Sequence, residues 1–395
     1  MAKKVLRIIN RFNLGGITYN VAYLTKYLSS DYETMLIGGK EEEGEESSLH
    51  ITDNLGLKPI LIEELQRSIG FKSDYAAYKR IKQIIREYKP DIVHTHASKA
   101  GAVGRLAAIH CKVPVIVHTF HGHVFHSYFG ALKTAFFKGI ERYLAKRTDA
   151  IIAISNIQKK ELTETFKICT PQQTHVVNLG FDLERFTQNI EQKRKEFRAK
   201  YNLQDDELAI GIIGRLAPVK NHELFIDAFE NASKHSNKKI RAFIIGDGET
   251  RMQLENYLIS KKIPFTNEAS ISKLFCFTSW IKNVDWALAG LDLVALSSKN
   301  EGTPVSLIEA QAAGKFIVST NVGGTADILH KDCGFLCDKD KPEEFISQIL
   351  NAINNFETLS AKAKNGQQQV LAQFSYKRLV KDVENLYNTL LKNKK

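Results

Sequence analysis

The stretch LAIGIIGRLAPVKN, residues 208–221, decides the fold of this chain. Its first six residues form an apolar run of strand length, and Gly214 ends that run before a short loop. The loop carries a guanidinium at Arg215 and an ammonium at Lys220, and a helical pattern follows it. A buried strand, a glycine-containing loop and a helix are the repeating unit of parallel α/β sheets. We therefore predict an α/β domain with cationic side chains at the carboxyl end of a strand, where such sheets bind ligands.

The same strand, loop and helix pattern recurs along the chain in two series. Strand-like runs of the first series lie at 5–9, 34–37, 91–94, 115–118 and 150–154, and those of the second at 208–213, 241–245, 293–296 and 316–318. A charged and polar segment, 190–206, separates the two series. This alternation predicts two doubly wound parallel sheets and hence two domains. A length of 395 residues agrees, because one hydrophobic core rarely serves more than about 300 residues.

The composition is that of an ordinary globular protein. Hydrophobic residues make up 43% and charged residues 25%, which argues against disorder and against a disulfide scaffold. The five cysteines are scattered and odd in number, so we expect reduced, buried thiols and no zinc site. The first apolar run is broken by Arg7 and is too short for a signal peptide, and no run is long enough to span a membrane. We therefore expect a cytoplasmic protein.

The formal net charge of +11 requires an explanation in terms of partners. Nucleic acid, anionic lipid and phosphorylated substrates would all complement it. The sequence contains no zinc-finger spacing, no aromatic RNA-binding motif and no dense lysine and arginine tract. We therefore do not expect a nucleic-acid partner.

A second informative segment is EGTPVSLIE, residues 301–309, which predicts a helix over 304–313. Pro304 suits the first helical position, where its missing N–H is not needed, and Thr303 suits the N-cap. Gly314 is expected to end the helix.

The start of this helix has the features of an anion site. The N–H groups of Thr303, Val305 and Ser306 and the positive end of the helix dipole would accommodate a diphosphate. Glu301 lies before the helix start and Glu309 lies behind it, so two carboxylates that can accept hydrogen bonds from hydroxyls flank the anion site. The spacing alone fits a solvated surface helix equally well.

Further polar or glycine-rich segments follow other predicted strands. They are Gly15-Gly16, His94 and His96, His118 and His121, and Gly246-Asp247-Gly248-Glu249. Because the carboxyl ends of parallel strands lie at one edge of a sheet, we expect these segments to cluster there and to line a cleft.

Five motifs in this order resemble those of the retaining glycosyltransferases of family four. They are Gly15-Gly16, the Gly-Arg-Leu-x-x-x-Lys-Asn segment at 214–221, Gly246 to Glu249, the two glutamates at 301 and 309, and Asn321-Val322-Gly323-Gly324. The resemblance covers nearly the whole chain. It implies the GT-B fold, with two facing Rossmann-like domains: an acceptor-side domain at 1–190 and a nucleotide-sugar domain at 205–373. It also implies that a final helix within 374–395 crosses back to the first domain.

The same resemblance implies roles for individual residues. Arg215 and Lys220 would hold the diphosphate, Glu301 the hydroxyls of the donor sugar and Glu309 the ribose. His121 would approach C1 of the donor sugar from the other domain. His121, Arg215, Lys220 and Glu301 are thus the candidate catalytic residues.

The remaining donor-side candidates are backbone positions. They are Gly15, Gly16, Gly214, Gly246, Gly248, Thr303, Pro304, Val305 and Ser306. The resemblance favours UDP as the nucleotide. The sequence departs from the family at Ser279, where a glycine is common before the loop that contacts the base.

Neither a metal nor any other cofactor is expected, since the nucleotide-sugar is itself a substrate. Asp338-Lys339-Asp340 spells the Asp-x-Asp signature of metal-dependent transferases, but it lies in a polar segment before Pro342 and is interpreted as a turn. In such enzymes the leaving phosphate is thought to take the proton of the acceptor, so no protein nucleophile is required.

The segment 91–101 resembles bacterial enzymes that build capsule, exopolysaccharide or O-antigen. That likeness implies a lipid-linked or saccharide acceptor, with His94, His96 and Lys99 as acceptor-side candidates. Two alternatives remain: an epimerase or hydrolase of UDP-sugars with the same architecture, which needs further acids and bases at the sugar, and a catalytically silent scaffold.

The segment 130–147 predicts a basic amphipathic helix. Leu132, Phe136, Ile140, Tyr143 and Leu144 share one face, with lysines and arginines around it. Such a helix can rest on an anionic membrane, which would place the protein at the inner face of the plasma membrane. It can equally pack its apolar face on the sheet of the first domain.

Overall fold

The computed structural model describes residues 2–13, 16–41, 47–66, 70–122 and 131–394. The chain forms two compact units. One comprises residues 1–181 and 374–395, and the other comprises residues 182–373. The charged segment that begins at residue 190 therefore belongs to the second unit.

In the described part of the first unit, seven parallel strands form one sheet in the order β3-β2-β1-β4-β5-β6-β7. The strands are β1 Lys3–Arg11, β2 Tyr32–Gly39, β3 Ile60–Leu61, β4 Ile92–His96, β5 Val115–Phe120, β6 Ala150–Ala153 and β7 Thr174–Val176. The helices between them are α1 Gly16–Tyr27, α2 Leu49–Asn54, α3 Phe71–Tyr88, α4 Ser98–His110, α5 Ala131–Ala145 and α6 Asn156–Lys160. The strand order reverses its direction of growth between β1 and β4, which is where such sheets bind ligands.

The second unit repeats this architecture. Its described residues form seven parallel strands in the order β10-β11-β9-β8-β12-β13-β14. These are β8 Glu207–Ile213, β9 Lys239–Ile245, β10 Phe265–Thr266, β11 Phe275–Ser279, β12 Leu293–Leu296, β13 Phe316–Thr320 and β14 Gly334–Cys337. The helices are α7 Ile190–Lys200, α8 His222–His235, α9 Arg251–Ser260, α10 Val284–Gly290, α11 Val305–Ala312, α12 Thr325–Ile328, α13 Pro342–Asn354 and α14 Phe356–Phe374. Here the reversal lies between β8 and β12.

Both sheets are covered on their two faces, as parallel sheets require. Val5, Leu6, Ile8 and Ile9 of β1 are all fully buried, so successive side chains point into cores on opposite faces. In the second unit, phenylalanines of α8 and β11 form a tightly packed core on one face, with Phe229 and Phe275 ring centroids 5.0 Å apart.

The last helix, α15 Tyr376–Lys392, packs on the sheet of the first unit. Its apolar side, which includes Val383 and Tyr387, contacts residues of β1, β4 and β5. The backbone also connects it to the first unit, because the Phe181 N–H donates to Phe374 O at 2.8 Å and the Tyr376 N–H to Phe181 O at 3.0 Å.

Candidate functional site

Two loops meet at the strand-order reversal of the second unit. One follows β8 and contains Lys220, and the other follows β12 and begins at Ser297. The Ser297 hydroxyl donates to the carbonyl oxygens of Lys220 and Asn221 at 3.0 and 2.9 Å, and the Lys299 N–H donates to Val219 O at 2.8 Å. Loops about 80 residues apart in sequence are thus held together where this fold class binds ligands.

The centre of this cluster is an ion pair between Lys220 and Glu301. Nζ of Lys220 lies 2.5 Å from Oε1 of Glu301, and the Ser298 hydroxyl donates to the same oxygen at 2.6 Å. The Lys220 side chain is 23% exposed and that of Glu301 is 9% exposed. The two residues predicted to hold diphosphate and sugar hydroxyls are therefore direct neighbours, while Ser298 was not identified from the sequence.

A tight turn at Gly323-Gly324 supports the Glu301 backbone. The Gly324 N–H donates to Gly302 O at 2.9 Å. Gly323 has φ +52°, and a Cβ atom there would lie 1.7 Å from Glu301 O. Only glycine combines that conformation with so close an approach. The two glycines therefore allow this turn to pack directly against the backbone of the loop that carries Glu301.

The helix after Glu301 begins one residue later than predicted. It is α11, Val305–Ala312, and Pro304 is its N-cap with ψ 108°. The prediction that Thr303 caps a helix starting at Pro304 is wrong, because the extended backbone of Pro304 delays the first helical residue to Val305. The first N–H groups of any helix have no intrahelical acceptor, so those of Val305 and Ser306 are available as donors, and their role in binding a diphosphate stays a prediction. Gly314, with φ +67°, ends the helix as predicted.

The glycines of the neighbouring strand ends act as spacers between backbones. A Cβ at Gly246 would lie 1.9 Å from Gly214 O, and one at Gly248 would lie 2.4 Å from Leu216 O. The Leu216 N–H donates to Asp247 O at 3.0 Å. The loops after β8 and β9 thus pack backbone to backbone at the edge of the site.

Arg215 projects from this edge towards solvent. Its Nε donates to Oε2 of Glu249 at 3.1 Å, and both side chains are largely exposed. Arg215 is therefore free to reorient towards an anion at small cost, since an exposed ion pair of this kind contributes little.

Ser279 adopts a backbone conformation that suits glycine, the residue that is common at this position in similar enzymes. Its φ is +54°, in the left-handed region that disfavours side chains. The hydroxyl accepts from the Arg251 guanidinium at 2.6 Å, and the same guanidinium bonds Oδ2 of Asp247 at 2.8 Å. Arg251, which was not identified from the sequence, thus holds the strained residue in place.

Glu309 lies in a charged cluster that the sequence did not predict. Its Oε1 accepts from Arg185 at 3.4 Å, and Asp285 lies 4.0 Å from the same guanidinium. Burial raises the pKa of Glu309 to about 7, Arg185 lowers it and Asp285 raises it further. Burial and the charge of Arg185 therefore act on the protonation state of Glu309 in opposite directions. No sequence signal connects Arg185 to Glu309, because the two residues are more than a hundred positions apart.

In the first unit, His94 and His96 lie in the interior. Their residues are 0% and 1% exposed, and their rings stack with centroids 4.2 Å apart. His94 is fully enclosed, whereas His96 lines a small cavity together with His121, and the acceptor contacts of both residues stay a prediction. A parallel strand that is covered on both faces also buries its polar residues. Lys99, the third acceptor-side candidate, forms an ion pair with Asp74 at 2.5 Å.

A chain of hydrogen bonds fixes the tautomer of His94. Arg7 can only donate, and its NH2 lies 3.4 Å from the Tyr387 hydroxyl oxygen. That hydroxyl therefore directs its own hydrogen to Nδ1 of His94, 2.6 Å away. Since neutral imidazole carries one proton, Nε2 of His94 donates to Thr119 Oγ1 at 2.7 Å.

His121 is held by His96. Nδ1 of His96 and Nε2 of His121 lie 3.0 Å apart. Nε2 of His96 is buried and has no hydrogen-bond partner within the described ranges. Between two neutral rings, one of these nitrogens donates and the other accepts.

All these rings are neutral at physiological pH. Burial, followed by neighbouring positive groups, holds the pKa values of His94, His96 and His118 well below the ordinary value. Burial lowers the pKa of His121 to about 4. His118 is bonded to Thr95 at 2.8 Å and is a structural residue.

Gly16 begins α1, whereas Gly15 lies outside the described residues.

The predicted basic helix is observed as α5, although Gly130 and the Leu132 side chain lie outside the described residues. Leu144 is buried, whereas Phe136 and Tyr143 are 66% and 48% exposed. Residues of α4 and α5 line an apolar groove of about 580 Å³. The predicted apolar face is therefore buried at Leu144 and exposed to solvent along the groove at Phe136 and Tyr143.

The segment 338–340 forms a turn, as predicted. Lys339 pairs with Asp340 at 2.6 Å within it.

All five cysteines are free thiols: Cys276, Cys333 and Cys337 are buried, and Cys111 and Cys169 are partly exposed. Across the described ranges, we find no helix with the length and apolar character needed to cross a membrane.

Two family models match the chain. The model "Glycosyltransferase Family 4" matches residues 14–185, and "Glycosyl transferases group 1" matches residues 193–369. Among curated proteins, the chain is 27% identical over 349 residues to the UDP-Gal:alpha-D-GlcNAc-diphosphoundecaprenol alpha-1,3-galactosyltransferase of Escherichia coli, covering 87% of each chain. It is 25% identical over 348 residues to the capsular polysaccharide biosynthesis glycosyltransferase CapM of Staphylococcus aureus, covering 83% of this chain and 86% of CapM.

Solved structures share the fold. Anabaena HepE in complex with UDP superimposes with a TM-score of 0.79 at 18% identity, covering 98% of this chain and 100% of HepE. Sucrose-phosphate synthase from Thermosynechococcus elongatus gives a TM-score of 0.78 at 17% identity, covering 99% of this chain and 100% of that one. The fold is therefore GT-B, with two Rossmann-like domains, as predicted.

Proposed function

Since this chain belongs to the group 1 glycosyltransferases, we propose that it moves a sugar from a UDP-sugar to a lipid-linked or saccharide acceptor in cell-surface polysaccharide synthesis. We further propose that the transfer retains the anomeric configuration and needs no metal. The observation that carries the proposal is the Lys220–Glu301 pair at the strand-order reversal of the second unit. Support for UDP comes from the UDP complex of HepE, and support for a lipid diphosphate acceptor from the name of the Escherichia coli relative.

The adjacency of Lys220 and Glu301 suits a nucleotide-sugar. In such a donor the anionic diphosphate is joined directly to a ring that carries hydroxyls. A cation and a carboxylate 2.5 Å apart can each take one of these two neighbouring parts, with Lys220 on the phosphate and Glu301 on the hydroxyls. Arg215 and the N–H groups at the start of α11 add donors for the diphosphate.

Bond formation requires only positioning and charge stabilisation. The acceptor oxygen attacks C1 of the donor sugar, the bond between C1 and the phosphate oxygen breaks, and the proton of the acceptor passes to the departing phosphate. Negative charge develops on that phosphate, so Lys220 and Arg215 stabilise the transition state more than the ground state. His121, which is neutral at physiological pH, offers a hydrogen bond to a saccharide hydroxyl rather than a charge.

A membrane surface is the proposed location of the acceptor. Phe136 and Tyr143 border the apolar groove of α4 and α5, and the neighbouring lysines and arginines give the surface a positive charge that complements anionic lipid. The guanidinium of Arg147 lies 4.0 Å from the Tyr143 ring, so cationic and aromatic groups are presented together.

Liposome flotation tests this location. We expect wild-type protein to float with vesicles containing phosphatidylglycerol, and the variant Phe136→Ser with Tyr143→Ser to lose at least about tenfold in partitioning because exposed apolar area is removed. Met252→Ser is the matched control, since Met252 is 74% exposed on α9 of the second unit. Equal flotation of all three proteins, or flotation of none, would reject the membrane proposal.

The function itself is tested with a panel of nucleotide-sugars and membrane extract as the source of acceptor. We expect one UDP-sugar to yield free UDP together with labelled lipid, with the anomeric configuration of the donor preserved. An epimerised sugar formed without acceptor would support the epimerase alternative instead. Nucleotide binding without any turnover would support a scaffold.

A further inference from the structure

The charged cluster around Glu309 gathers residues from four separate segments of the second unit. Arg185 belongs to the short helix Glu184–Phe186, Lys193 to α7, Asp285 to α10 and Glu309 to α11. NH2 of Arg185 lies 3.4 Å from Glu309 Oε1, and its NH1 lies 4.0 Å from Asp285 Oδ1. Nζ of Lys193 lies 2.8 Å from Asp285 Oδ2 and 2.7 Å from the carbonyl oxygen of Arg185. The Arg185 guanidinium therefore contacts both carboxylates, and Lys193 contacts the second oxygen of Asp285.

The burial of Glu309 and its contact with Arg185 have opposite effects on its pKa. Burial and Asp285 favour its protonated form, whereas Arg185 favours the carboxylate. Of the charged side chains in the described residues, Arg185 and Asp285 are the two whose charges act on Glu309, and Lys193 acts on Asp285. The protonation state of Glu309 thus depends on a single cation.

The protonation state determines what Glu309 can bind. A carboxylate accepts hydrogen bonds at both oxygens and can take two adjacent hydroxyls, and bonds to an ionised acceptor are roughly twice as strong as neutral ones. A protonated carboxyl group has one oxygen committed as a donor. It therefore pairs poorly with a diol that offers two donors.

We infer that Arg185 is a positioning residue that keeps Glu309 in its carboxylate form, so that this side chain can accept the two ribose hydroxyls of the nucleotide. The inference rests on the proposed function, in which Glu309 contacts the ribose. It goes beyond that function by making donor affinity depend on a residue that need not touch the ligand, and by making that affinity fall in mild acid.

The test measures UDP affinity by titration calorimetry between pH 6 and pH 9 with wild type and three variants. Glu309→Gln cannot titrate, so it serves as the reference that removes the titration of UDP itself. Relative to this reference, wild-type affinity should fall about tenfold from pH 8 to pH 6. In Arg185→Ala the midpoint should move to higher pH, which weakens binding at pH 7 by about fivefold and restores it by pH 9.

The variant Asp285→Asn provides the opposite perturbation. It removes a negative charge near Glu309, so its midpoint should move to lower pH and its affinity at pH 6 should exceed that of wild type. A role of Arg185 in packing alone would weaken binding equally at every pH, and it gives no reason for the two variants to shift in opposite directions. A pH-independent loss in Arg185→Ala, or shifts of the same sign in both variants, would overturn the inference.

The same inference is tested without ligand by the infrared carbonyl band of the protonated Glu309 carboxyl, isolated as wild type minus Glu309→Gln. This band should persist to higher pH in Arg185→Ala. If UDP binds neither wild type nor any of the three variants at any pH, the proposed donor site fails. If UDP binds but the carbonyl band and the affinity profile are unchanged by Arg185→Ala, the inference alone fails.

Discussion

Mild acid should unfold the first unit through its buried histidines. His94, His96 and His118 are fully buried, and burial holds their pKa values well below the ordinary value of about 6.5. Between these two limits the unfolded chain binds more protons than the folded chain, so stability falls as the pH falls below 6.5. His121 belongs to the same unit and burial lowers its pKa to about 4, so it contributes in the same direction. At pH 5.5, one unit below the unfolded value, each of the four histidines costs on the order of 1 kcal/mol, and together they cost on the order of 5 kcal/mol.

That loss is large against the total stability of an ordinary domain, about 5–15 kcal/mol. The assay is urea unfolding at pH 7.5, 6.5 and 5.5, followed by pulsed hydrogen exchange at β4 and β5, which reports the first unit separately from the second. The pH dependence at 5.5 should correspond to nearly four protons taken up on unfolding, one by each of these histidines.

A single substitution makes the test residue-specific. His94→Gln removes one of the four groups, so its pH dependence should fall by about one proton, whereas His50→Gln, at an exposed position, should leave it unchanged. A first unit equally stable at pH 5.5 and pH 7.5, or a His94→Gln variant with the wild-type dependence, would refute the reasoning.

Three further predictions concern single side chains. Lys220→Ala should lower kcat by about 150-fold, because loss of a transition-state charge stabiliser costs about 3 kcal/mol, whereas Lys239→Ala, which removes a lysine from an exposed ion pair, should be neutral in the same steady-state assay. Gly323→Ala should destabilise the second unit by about 2 kcal/mol in thermal unfolding because its Cβ collides with a backbone carbonyl, and Gly302→Ala, with open space around its Cβ, should not. Tyr387→Phe should cost about 2 kcal/mol of first-unit stability in urea unfolding, since Nδ1 of His94 and NH2 of Arg7 lose their hydroxyl partner; a change below about 0.5 kcal/mol would contradict a stabilising role of this hydroxyl.

The strands and their order of appearance could be predicted because apolar runs and glycine-containing loops are local signals. The run at 208–213 lies within β8, and that at 293–296 coincides with β12. The end of α11 at Gly314 was also local, because a glycine in the left-handed conformation is a sequence signature. Its start was not, since the backbone of Pro304 fits an N-cap as well as a first helical residue.

Contacts between distant segments could not be predicted in the same way. The ion pair of Lys220 with Glu301 spans 81 positions, and that of Arg185 with Glu309 spans 124. Both depend on the sheet order that brings the segments together. The burial of His94 and His96 could not be predicted either, because it depends on the layers that cover both faces of the sheet.

The central claim is that Glu301, held by Lys220 and Ser298, serves sugar transfer from a nucleotide donor. The direct measurement is the amount of free UDP and of glycosylated lipid formed by wild type and by Glu301→Ala, each with its fold verified by thermal unfolding. We predict equal amounts of the two products for wild type and a loss of both by at least about a hundredfold for Glu301→Ala. Wild-type turnover in Glu301→Ala, or release of UDP by wild type without a glycosylated product, would contradict the claim.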